Sequence, residues 1–562
     1  HSTQHAVKFY MHLSNFHAPF SVSLVPPKSS PITVPVVKPS RIIRTLKQNQ
    51  IFEKSLCGKV WVTVHSPDIR LGATATLLDA LELNWDFKEC FTIPRQIGLF
   101  DDRPQTWNNA LSVFLVTSVD GHVVTNFSLG RGTLPAGWEA DIGSRGPQCL
   151  WPWVAAGDGN EIKAYNCLKI QPTWMEDAAS TINNLRIGDL AIAGTHNAGA
   201  WRFNTEISSV SRDSFVLCQD RSIWAQLVHG IRYFDFRIAY YDFYQNVEER
   251  YVYRITCLLD SYASIPINWV YRYSKIAGVT GFAVACTATP AGLGPPASSG
   301  GPLLWWGSCS PAPHPSERRA QDMTRHPPWA RYWSGDGFPN PYWLNHNLIR
   351  VRPLVPLLRE IRAFLDGTKE VVFLDAHHFP VGFYHSDGAP IRQVHAGLLE
   401  IVQKELGPHV APASVFGTGV GTKGPTLQTL INADKRLLFS YVDNSIVSDN
   451  SWLWPILPHL WANTNSPTEL FQYLDGAISA SPQPTARSPL FSAMAQTTPT
   501  VLDILFLRGS LRDNAEAVNR NVSSRLASHW RTQANIISTD FFLGNNVIDL
   551  SIMISLERAS RL

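Results

Sequence analysis

The chain has 562 residues, 44% of them apolar and 17% charged, which indicates a folded protein and excludes the low hydrophobicity of a disordered one. Its length predicts two or three folding units, since one ordinary core is smaller. The formal net charge is only +3 and Lys and Arg are scattered, which argues against a nucleic-acid partner. We also expect no transmembrane helix, because the least charged long stretch is rich in Gly and Thr and contains proline.

The N-terminal third has two textures. Residues 1–45 are rich in proline and serine, as in an extended or disordered leader. From 46 to 172, short β-prone runs such as Val-Trp-Val-Thr-Val at 60–64 and Val-Phe-Leu-Val-Thr at 113–117 lie between Gly, Asp and Pro clusters. This pattern predicts a small β-sandwich-like domain.

Eight cysteines are present, an even number. Cys57 with Cys90, and Cys149 with Cys167, have the spacing of loop-closing pairs rather than that of a metal-binding CxxC motif. We expect disulfide bonds and leave the pairing open. Together with two Asn-x-Ser glycosylation patterns, they favour a secreted or extracellular protein over the cytoplasmic alternative.

From residue 173 to 562, apolar strand-like runs alternate with longer helical patterns. Such repeated βα units predict an α/β fold, here a distorted TIM-type (βα)8 barrel. One helix is expected over 353–366, where apolar residues recur on one face. The eight predicted strands are 189–194, 231–238, 342–348, 370–375, 436–442, 460–463, 500–507 and 535–542.

Residues 258–338 interrupt this pattern. The segment is rich in glycine and proline and is poorly suited to pack as part of a barrel. It is either a long surface insertion or an artefact of gene modelling.

The first two predicted barrel strands carry polar residues suited to chemistry. The first runs into Ile-Ala-Gly-Thr-His-Asn-Ala-Gly at 192–199, which places His196 where barrel active sites lie, although a turn histidine is the alternative. On the second, Tyr233, Asp235 and Arg237 alternate with apolar residues and share one face. These side chains indicate either a functional site or a buried ion pair between Asp235 and Arg237.

Three motifs together resemble the X domain of phosphatidylinositol-specific phospholipases C. They are Gly-Thr-His-Asn at 194–197, Gly-Ile-Arg-Tyr-Phe-Asp-Phe-Arg at 230–237 and Glu-Val-Val-Phe-Leu-Asp-Ala-His-His-Phe at 370–379. The resemblance covers roughly 180–260 and 340–555 and points to animal X-domain-containing proteins, including a secreted arthropod group. It implies a phosphoric diester hydrolase or lyase that cleaves an inositol lipid.

The resemblance also implies roles for single residues. His196 would be the general base, His346 the general acid and Arg237 the ligand of the phosphate. His346 follows Arg237 by 109 residues, a gap that the insertion lengthens. Asp540 on the last strand would orient the base, its alternative being a helix cap or strand-end aspartate.

The sequence favours a metal-free site. Asn197 follows the first histidine, where metal-independent bacterial relatives have Asp and calcium-dependent animal relatives have Asn. The calcium pattern also needs two acids on the second strand, but here Asp235 is followed by Arg237, whose fixed charge repels Ca²⁺. We therefore predict no metal and no cofactor. Asn197 can orient His346 without stabilising its charge, which predicts lowered activity.

Residues that end the fourth and fifth predicted strands are expected to bind inositol hydroxyls, namely Asp375, His377, Tyr441 and Asp443. The implied partner is phosphatidylinositol or a glycosylated inositol lipid. The tryptophan-rich segment 452–461 is a candidate for transient contact with a membrane surface, its alternative being a role in the core.

Two other functions stay open. A catalytically weak or inactive barrel would act as a lipid or inositol-phosphate binding protein. A metal-dependent phosphodiesterase acting on another lipid headgroup is the second alternative, and Arg237 argues against it.

Overall fold

The structure, a computed structural model, describes residues 54–55, 58–71, 75–129, 147–201, 212–241, 269–276, 279–286, 341–417, 423–480, 490–506 and 508–561. The expected leader, 1–45, and most of the expected insertion, 258–338, lie outside the described residues. Ten strands precede residue 171: β1 (Lys54–Ser55), β2 (Lys59–Val64), β3 (Ile69–Leu71), β4 (Ala75–Leu77), β5 (Ala80–Asp86), β6 (Gln96–Phe100), β7 (Ala110–Leu115), β8 (Asp120–Ser128), β9 (Gln148–Asp158) and β10 (Glu161–Ile170).

These ten strands pair in antiparallel fashion. The first sheet has the order β1-β10-β9-β6-β7, the second has the order β2-β5-β8, and β3 pairs with β4. Apolar side chains of both sheets, among them Leu83 and Val154, share one core, as in a β-sandwich. The predicted domain boundary near residue 172 stays a prediction.

One cysteine pair of this region is bonded as its spacing suggests. Cys149 on β9 and Cys167 on β10 form a disulfide bond, with their Cα atoms 5.6 Å apart. Cys90 is also disulfide-bonded, and its expected partner, Cys57, lies outside the described residues.

Eleven strands follow in the described part of the chain, and seven of them form the barrel wall. β19, β20, β21, β11, β12, β17 and β18 are neighbours in this order and pair in parallel. No ladder joins β18 to β19 in the described part of the chain. The predicted barrel is therefore present in a distorted form that is open between these two strands. The strands are β11 (Ile192–Thr195), β12 (Tyr233–Tyr240), β13 (Trp269–Ile276), β14 (Val279–Cys286), β15 (Tyr342–His346), β16 (Ile349–Pro353), β17 (Val372–His378), β18 (Leu437–Tyr441), β19 (His459–Leu460), β20 (Ser492–Ala495) and β21 (Ile536–Thr539).

Helices connect the barrel strands and bury apolar faces. The helix expected over 353–366 is α4. The apolar residues that recur on its one face are all buried, namely Leu354, Leu357, Leu358, Ile361 and Leu365. Within the described ranges no helix is long and apolar enough to cross a bilayer. The helices are α1 (Trp174–Asp177), α2 (Ala179–Ile182), α3 (Ile223–His229), α4 (Leu354–Gly367), α5 (Arg392–Leu406), α6 (Ala413–Phe416), α7 (Leu427–Asn432), α8 (Asn444–Asp449), α9 (Pro467–Ser479), α10 (Val501–Leu505), α11 (Leu511–Ala527) and α12 (Val547–Ala559).

The strand predicted over 342–348 is not part of the parallel wall. β15 runs antiparallel to β12, with Leu344 opposite Ile238, and then reverses into β16. Asn347 at this reversal has a φ of +52°, a left-handed conformation that Asn adopts more readily than most residues. A turn this short joins antiparallel strands, whereas a parallel strand needs a long crossover connection. The prediction of a third parallel strand here was therefore wrong.

The prediction of a strand over 500–507 is also wrong, because residues 501–505 form helix α10. The Thr500 hydroxyl accepts a hydrogen bond from the Asp503 backbone N–H, and the Asp503 carboxylate accepts one from the Thr500 backbone N–H. This capping box overrides the strand preference of Val501 and Ile504. The barrel strand is instead β20, whose sequence Ser-Ala-Met-Ala has no β-branched residue to predict it.

A charged cluster joins the N-terminal sheets to the barrel helix α11. Arg520 lies 3.1 Å from both carboxylate oxygens of Glu82, and the His65 Nδ1 atom lies 3.1 Å from Glu516. Burial lowers the pKa of His65, but Glu516 and Glu82 outweigh it and raise this pKa to about 9. Burial raises the pKa of Glu82, but His65 and Arg520 outweigh it and lower this pKa to about 2. His65 is thus a cation at neutral pH.

We expect the His65 cation to make stability depend on pH. Its raised pKa stabilises the folded chain fully below its ordinary value of 6.5, and this contribution is lost as pH rises through about 9. Between pH 6 and 9.5 the native free energy of unfolding should fall by about 3 kcal/mol more than that of His65→Gln, measured by urea denaturation.

The control is His529→Gln, which removes an exposed histidine just after helix α11. It should follow the native curve. Identical pH dependence in the native chain and His65→Gln would contradict the cluster's contribution to stability.

Candidate functional site

His196 directly follows the first barrel strand, β11. Glycines before and after it let the backbone pass close to neighbouring side chains. A Cβ atom on Gly194 would lie 2.7 Å from the Tyr233 ring, and one on Gly199 would lie 2.0 Å from the Leu344 side chain. Both distances are too short for a Cβ atom unless the neighbouring side chain shifts. Close packing therefore explains the two glycines of the 194–199 motif. It also places His196 at the carboxyl end of the parallel wall.

His196 is held from both sides of its ring. The Nδ1 atom lies 2.7 Å from the Asp540 carboxylate, and the Nε2 atom lies 2.5 Å from the Arg237 Nη2 atom. Arginine can only donate, so Nε2 is the unprotonated nitrogen, and Nδ1 carries the proton and donates to Asp540. The His196 and Asp540 side chains are 8% and 5% exposed. This tautomer is the one that a general base needs.

Arg237 and Asp235 project from the same face of β12, as the alternation predicted. The Arg237 Nε atom lies 3.5 Å from an Asp235 carboxylate oxygen. Burial raises the pKa of Asp235, but Arg237, followed by His377 and His196, lowers it, and the net pKa lies below the ordinary value. Asp235 is therefore ionised and balances the guanidinium charge.

Asp235 also fixes the loop that carries His196. Its carboxylate accepts a hydrogen bond of 3.0 Å from the Asn197 backbone N–H, and its carbonyl accepts one from Ala198. Asn197 has a φ of +42°, and its side chain is buried with neither amide atom hydrogen-bonded to any described residue. The predicted ion pair of β12 and the predicted site are thus one structure.

His346 reaches the same site despite the long sequence gap. It ends β15, two residues beyond Leu344, which pairs with β12. Burial, followed by the neighbouring Arg237 and His196, lowers the pKa of His346 to about 3. The imidazole is therefore neutral at neutral pH when the site holds no anion.

Two residues that the sequence gave no reason to choose complete this site. The Cys218 thiol lies within 4.8 Å of the ring nitrogen of His196 and the carboxylate of Asp540, and burial, followed by the charge of Asp540, raises its pKa well above the ordinary value. Gln219 donates to the backbone carbonyls of His196 at 3.0 Å and Thr539 at 2.9 Å. Gln219 thereby ties the ends of β11 and β21 together.

A second polar cluster lines the barrel beside the first. The Asp375 carboxylate accepts hydrogen bonds from Ser440 at 2.6 Å, Tyr233 at 2.7 Å and His459 at 2.8 Å. His377 stacks on His459, with ring centroids 3.7 Å apart. The sequence predicted a binding role for Asp375 and His377. It gave no signal for His459, because the strand that carries His459 is only two residues long.

The remaining two predicted substrate ligands have other contacts. Tyr441 is fully buried, and its hydroxyl bonds to His395 at 2.7 Å. Asp443 caps helix α8 by accepting hydrogen bonds from the backbone of Ser445 and Ile446. These contacts explain both residues by packing and capping, and they give no support to a substrate-binding role.

The low pKa of His346 can be tested without any substrate. We expect Arg237→Gln to raise the His346 pKa toward 6.5, because burial remains but the neighbouring positive charge is gone. NMR titration of the imidazole carbons would measure it, with native His346 staying neutral down to the lowest pH at which the chain is folded.

The matched control is Arg392→Gln, which removes an exposed arginine on helix α5. The His346 pKa should not move in this variant. A His346 pKa that is the same in the native chain and in Arg237→Gln would show that the two side chains are not electrostatically coupled.

No model of a known protein family matches the chain. Over 194 residues it is 28% identical to PI-PLC X domain-containing protein 3 of Mus musculus and, equally, of Homo sapiens. This match covers 33% of the chain and 54% of each relative. The chain thus spans about half the length of the curated relatives it matches.

Solved structures give a weaker likeness. The phosphatidylinositol-specific phospholipase C from Listeria monocytogenes aligns with a TM-score of 0.38 and 15% identity, over 69% of this chain and 98% of that one. The S. aureus enzyme of the same name aligns with a TM-score of 0.38 and 9% identity, over 68% and 97%. These scores are low. The evidence for the barrel is the parallel strand order itself, in which the first barrel strand, β11, pairs with the last, β21.

The curated relatives confirm the resemblance that the histidine and arginine motifs predict. The similarity covers one third of the chain at 28% identity. In that part, the sequence is similar to the PI-PLC X domain-containing proteins.

Proposed function

We propose that the chain is a phosphoric diester hydrolase or lyase of the phosphatidylinositol-specific phospholipase C type, acting on phosphatidylinositol or a glycosylated inositol lipid. The row Asp540, His196, Arg237 carries the proposal. In this row a carboxylate holds one imidazole nitrogen, and a guanidinium meets the other at 2.5 Å. Sequence similarity to proteins named for a PI-PLC X domain supports it independently.

The row suits the first step of phosphodiester cleavage. When a phosphate enters, Arg237 turns from the His196 Nε2 atom to a non-bridging oxygen, which frees the nitrogen lone pair. Nε2 then takes the proton of the inositol 2-hydroxyl as its oxygen bonds to phosphorus. Asp540 stabilises the resulting imidazolium.

The leaving group needs a proton, and His346 supplies it in the proposed reaction. The bond from phosphorus to the glycerol oxygen breaks, and that oxygen takes the His346 proton to give diacylglycerol and an inositol cyclic phosphate. In the free chain His346 is neutral, because burial and Arg237 lower its pKa to about 3. The negative phosphate raises this pKa by compensating the Arg237 charge, so His346 gains its proton only with substrate present.

We expect purified chain to release inositol cyclic phosphate from phosphatidylinositol in mixed micelles with excess EDTA. His196→Ala, Arg237→Ala and His346→Ala should each lower the rate by about 100-fold or more, because each removes a proton carrier or the phosphate ligand. Chromatography of the water-soluble products measures the release.

His385→Ala, which removes an exposed histidine of a loop, is the control and should retain native activity. Activity that appears only with added Ca²⁺ would contradict the metal-free mechanism and favour a metal-dependent phosphodiesterase. Native activity in all three variants would exclude this site.

One observation favours the alternative of a lipid or inositol-phosphate binding protein with poor turnover. Asn197 is neutral, so no carboxylate at this position stabilises a charged His346. No cyclic phosphate release by a folded native chain that still binds phosphatidylinositol vesicles would favour this alternative over the enzyme.

An exposed apolar rim supports transient contact with a membrane surface. Helix α10 and its flank follow β20, so they lie on the carboxyl side of the wall, as His196 does. Trp461 follows β19, is 49% exposed, and its indole N–H bonds to Thr498 in the loop before α10. The exposed apolar residues of α10 and its flank are Val501, Leu502, Ile504 and Phe506.

The tryptophan-rich segment 452–461 contributes less to this rim than its sequence suggested. Trp454 is 4% exposed and donates to the Ala411 carbonyl, and Trp452 stacks on Phe439. These two tryptophans therefore belong to the core. Trp461 alone is left as an interfacial candidate from the predicted set.

We expect the double variant Leu502→Ser and Phe506→Ser to bind phosphatidylinositol-containing vesicles at least tenfold more weakly than the native chain. Each substitution removes an exposed apolar side chain that would enter the bilayer interface. Co-sedimentation with vesicles of phosphatidylcholine and phosphatidylinositol measures the binding.

Leu115→Ser is the matched control, because Leu115 is an even more exposed leucine but lies on the edge strand β7. It should bind vesicles as the native chain does. Equal loss in both variants would mean that exposed apolar area in general, rather than the rim, drives binding.

We also propose a secreted or extracellular location. The disulfide bond between Cys149 and Cys167 supports it, since such bonds persist in oxidising compartments. Reducing and non-reducing electrophoresis of native material, with thiol alkylation, would distinguish it from the cytoplasmic alternative.

A further inference from the structure

The second polar cluster, formed by Asp375, His377 and His459, has the composition of a transition-metal site. One nitrogen of each histidine and one carboxylate oxygen lie within 4.8 Å of one another. The His459 Nε2 atom and the Asp375 Oδ2 atom are 2.8 Å apart. Asp375 and His377 come from strand β17, and His459 comes from β19, one of the two strands that border the open side of the barrel wall.

The carboxylate of this cluster is fixed in place by its neighbours. Tyr233 donates to Asp375 Oδ2 at 2.7 Å, and Ser440 donates to Asp375 Oδ1 at 2.6 Å. Asp375 itself is 2% exposed. Hydrogen bonds of this kind orient the ligands of metal ions in proteins and strengthen their binding.

Both imidazoles keep a nitrogen that nothing else uses. The Nδ1 atoms of His377 and His459 are buried and have no hydrogen-bond partner among the described residues. A buried imidazole nitrogen without a described partner can offer its lone pair to a metal ion.

We propose that Asp375, His377 and His459 bind a divalent transition-metal ion of the Zn²⁺ class. Two imidazoles and one carboxylate are a common ligand set of such ions, and they leave coordination positions open. Ligand bonds of about 2.1 Å place the ligand atoms of a tetrahedral site roughly 3.3 Å apart. The present spacing needs a small rotation of His377, which is only half-buried and tilted by 22° from the His459 ring.

This site differs from the calcium position considered for the second strand. Ca²⁺ and Mg²⁺ prefer oxygen ligands, whereas two of the three ligands here are imidazoles. Arg237 stands on β12 beside Asp235 and repels a cation there. Asp235 is the neighbour of Asp375 in the parallel ladder between β12 and β17, so an ion in this cluster would lie beside the proposed reaction centre.

The test uses the full chain after EDTA treatment and removal of the chelator. Isothermal titration with ZnCl₂ in a non-chelating buffer at pH 7.5 should show one strong site per chain. His377→Asn and His459→Asn should each weaken Zn²⁺ binding by at least tenfold, since each removes one ligand. Co²⁺ in place of Zn²⁺ should give visible absorption bands that both variants lose.

The matched control is His378→Asn, which removes the exposed neighbour of His377 on the same strand. Two other clusters need exclusion, and His196→Asn and His65→Gln remove one histidine from each. All three controls should bind Zn²⁺ as the native chain does. Circular dichroism would establish that each variant is folded.

The proposal is overturned if the folded native chain takes up no Zn²⁺, or if His377→Asn and His459→Asn bind it as tightly as the native chain. Loss of binding in His196→Asn or His65→Gln alone would move the site to another cluster and would overturn it equally. Zn²⁺ binding is measured without lipid, so its failure and the failure of the proposed phospholipase activity are separate results.

Discussion

The pairing of the first barrel strand with the last is the constraint on which the candidate site depends. Residues 192–195 run parallel to 536–539 in unbroken register, and the His196 backbone N–H continues the ladder to the Thr539 carbonyl. This register brings His196 and Asp540, which are 344 residues apart, to 2.7 Å. Gln219 bonds to both strand ends and locks them together. A slip of one residue would turn one of the two side chains away, so barrel closure and the histidine tautomer are a single structural fact.

One guanidinium charge sets the electrostatics around this closure. Arg237 meets the lone pair of His196, lies 3.5 Å from the Asp235 carboxylate and contributes to the low pKa of His346. Without a ligand, the site therefore has a base held ready and an acid that has no proton to give. An anionic phosphate changes both groups at once. It draws Arg237 away from His196, and it offsets the Arg237 charge near His346. The arrangement ties proton transfer to the presence of substrate.

The sequence predicted those features that recur with a period or follow a strand. The alternation on β12 predicted the shared face of Asp235 and Arg237, and the helical period predicted α4. The sequence-based prediction was wrong where local signals are weak or conflicting. Strand β20 has no β-branched residue to indicate it. In α10 the capping box competes with the strand preference of Val501. Gln219 and His459 could not be found, because their roles depend on partners distant in sequence, which only the closed barrel brings together.

Asn197 shows why a neutral residue suits the position after the first histidine. Its backbone is left-handed, a conformation that Asn tolerates, and its N–H donates to Asp235. Its buried amide has no partner among the described residues, a cost of roughly 1 to 3 kcal/mol for each unsatisfied group. An aspartate there would add a second buried negative charge beside Asp235, whose own charge already balances Arg237. With one carboxylate on β12 and one fixed cation, the neutral amide keeps the charges balanced, and an incoming phosphate meets no second carboxylate at this position.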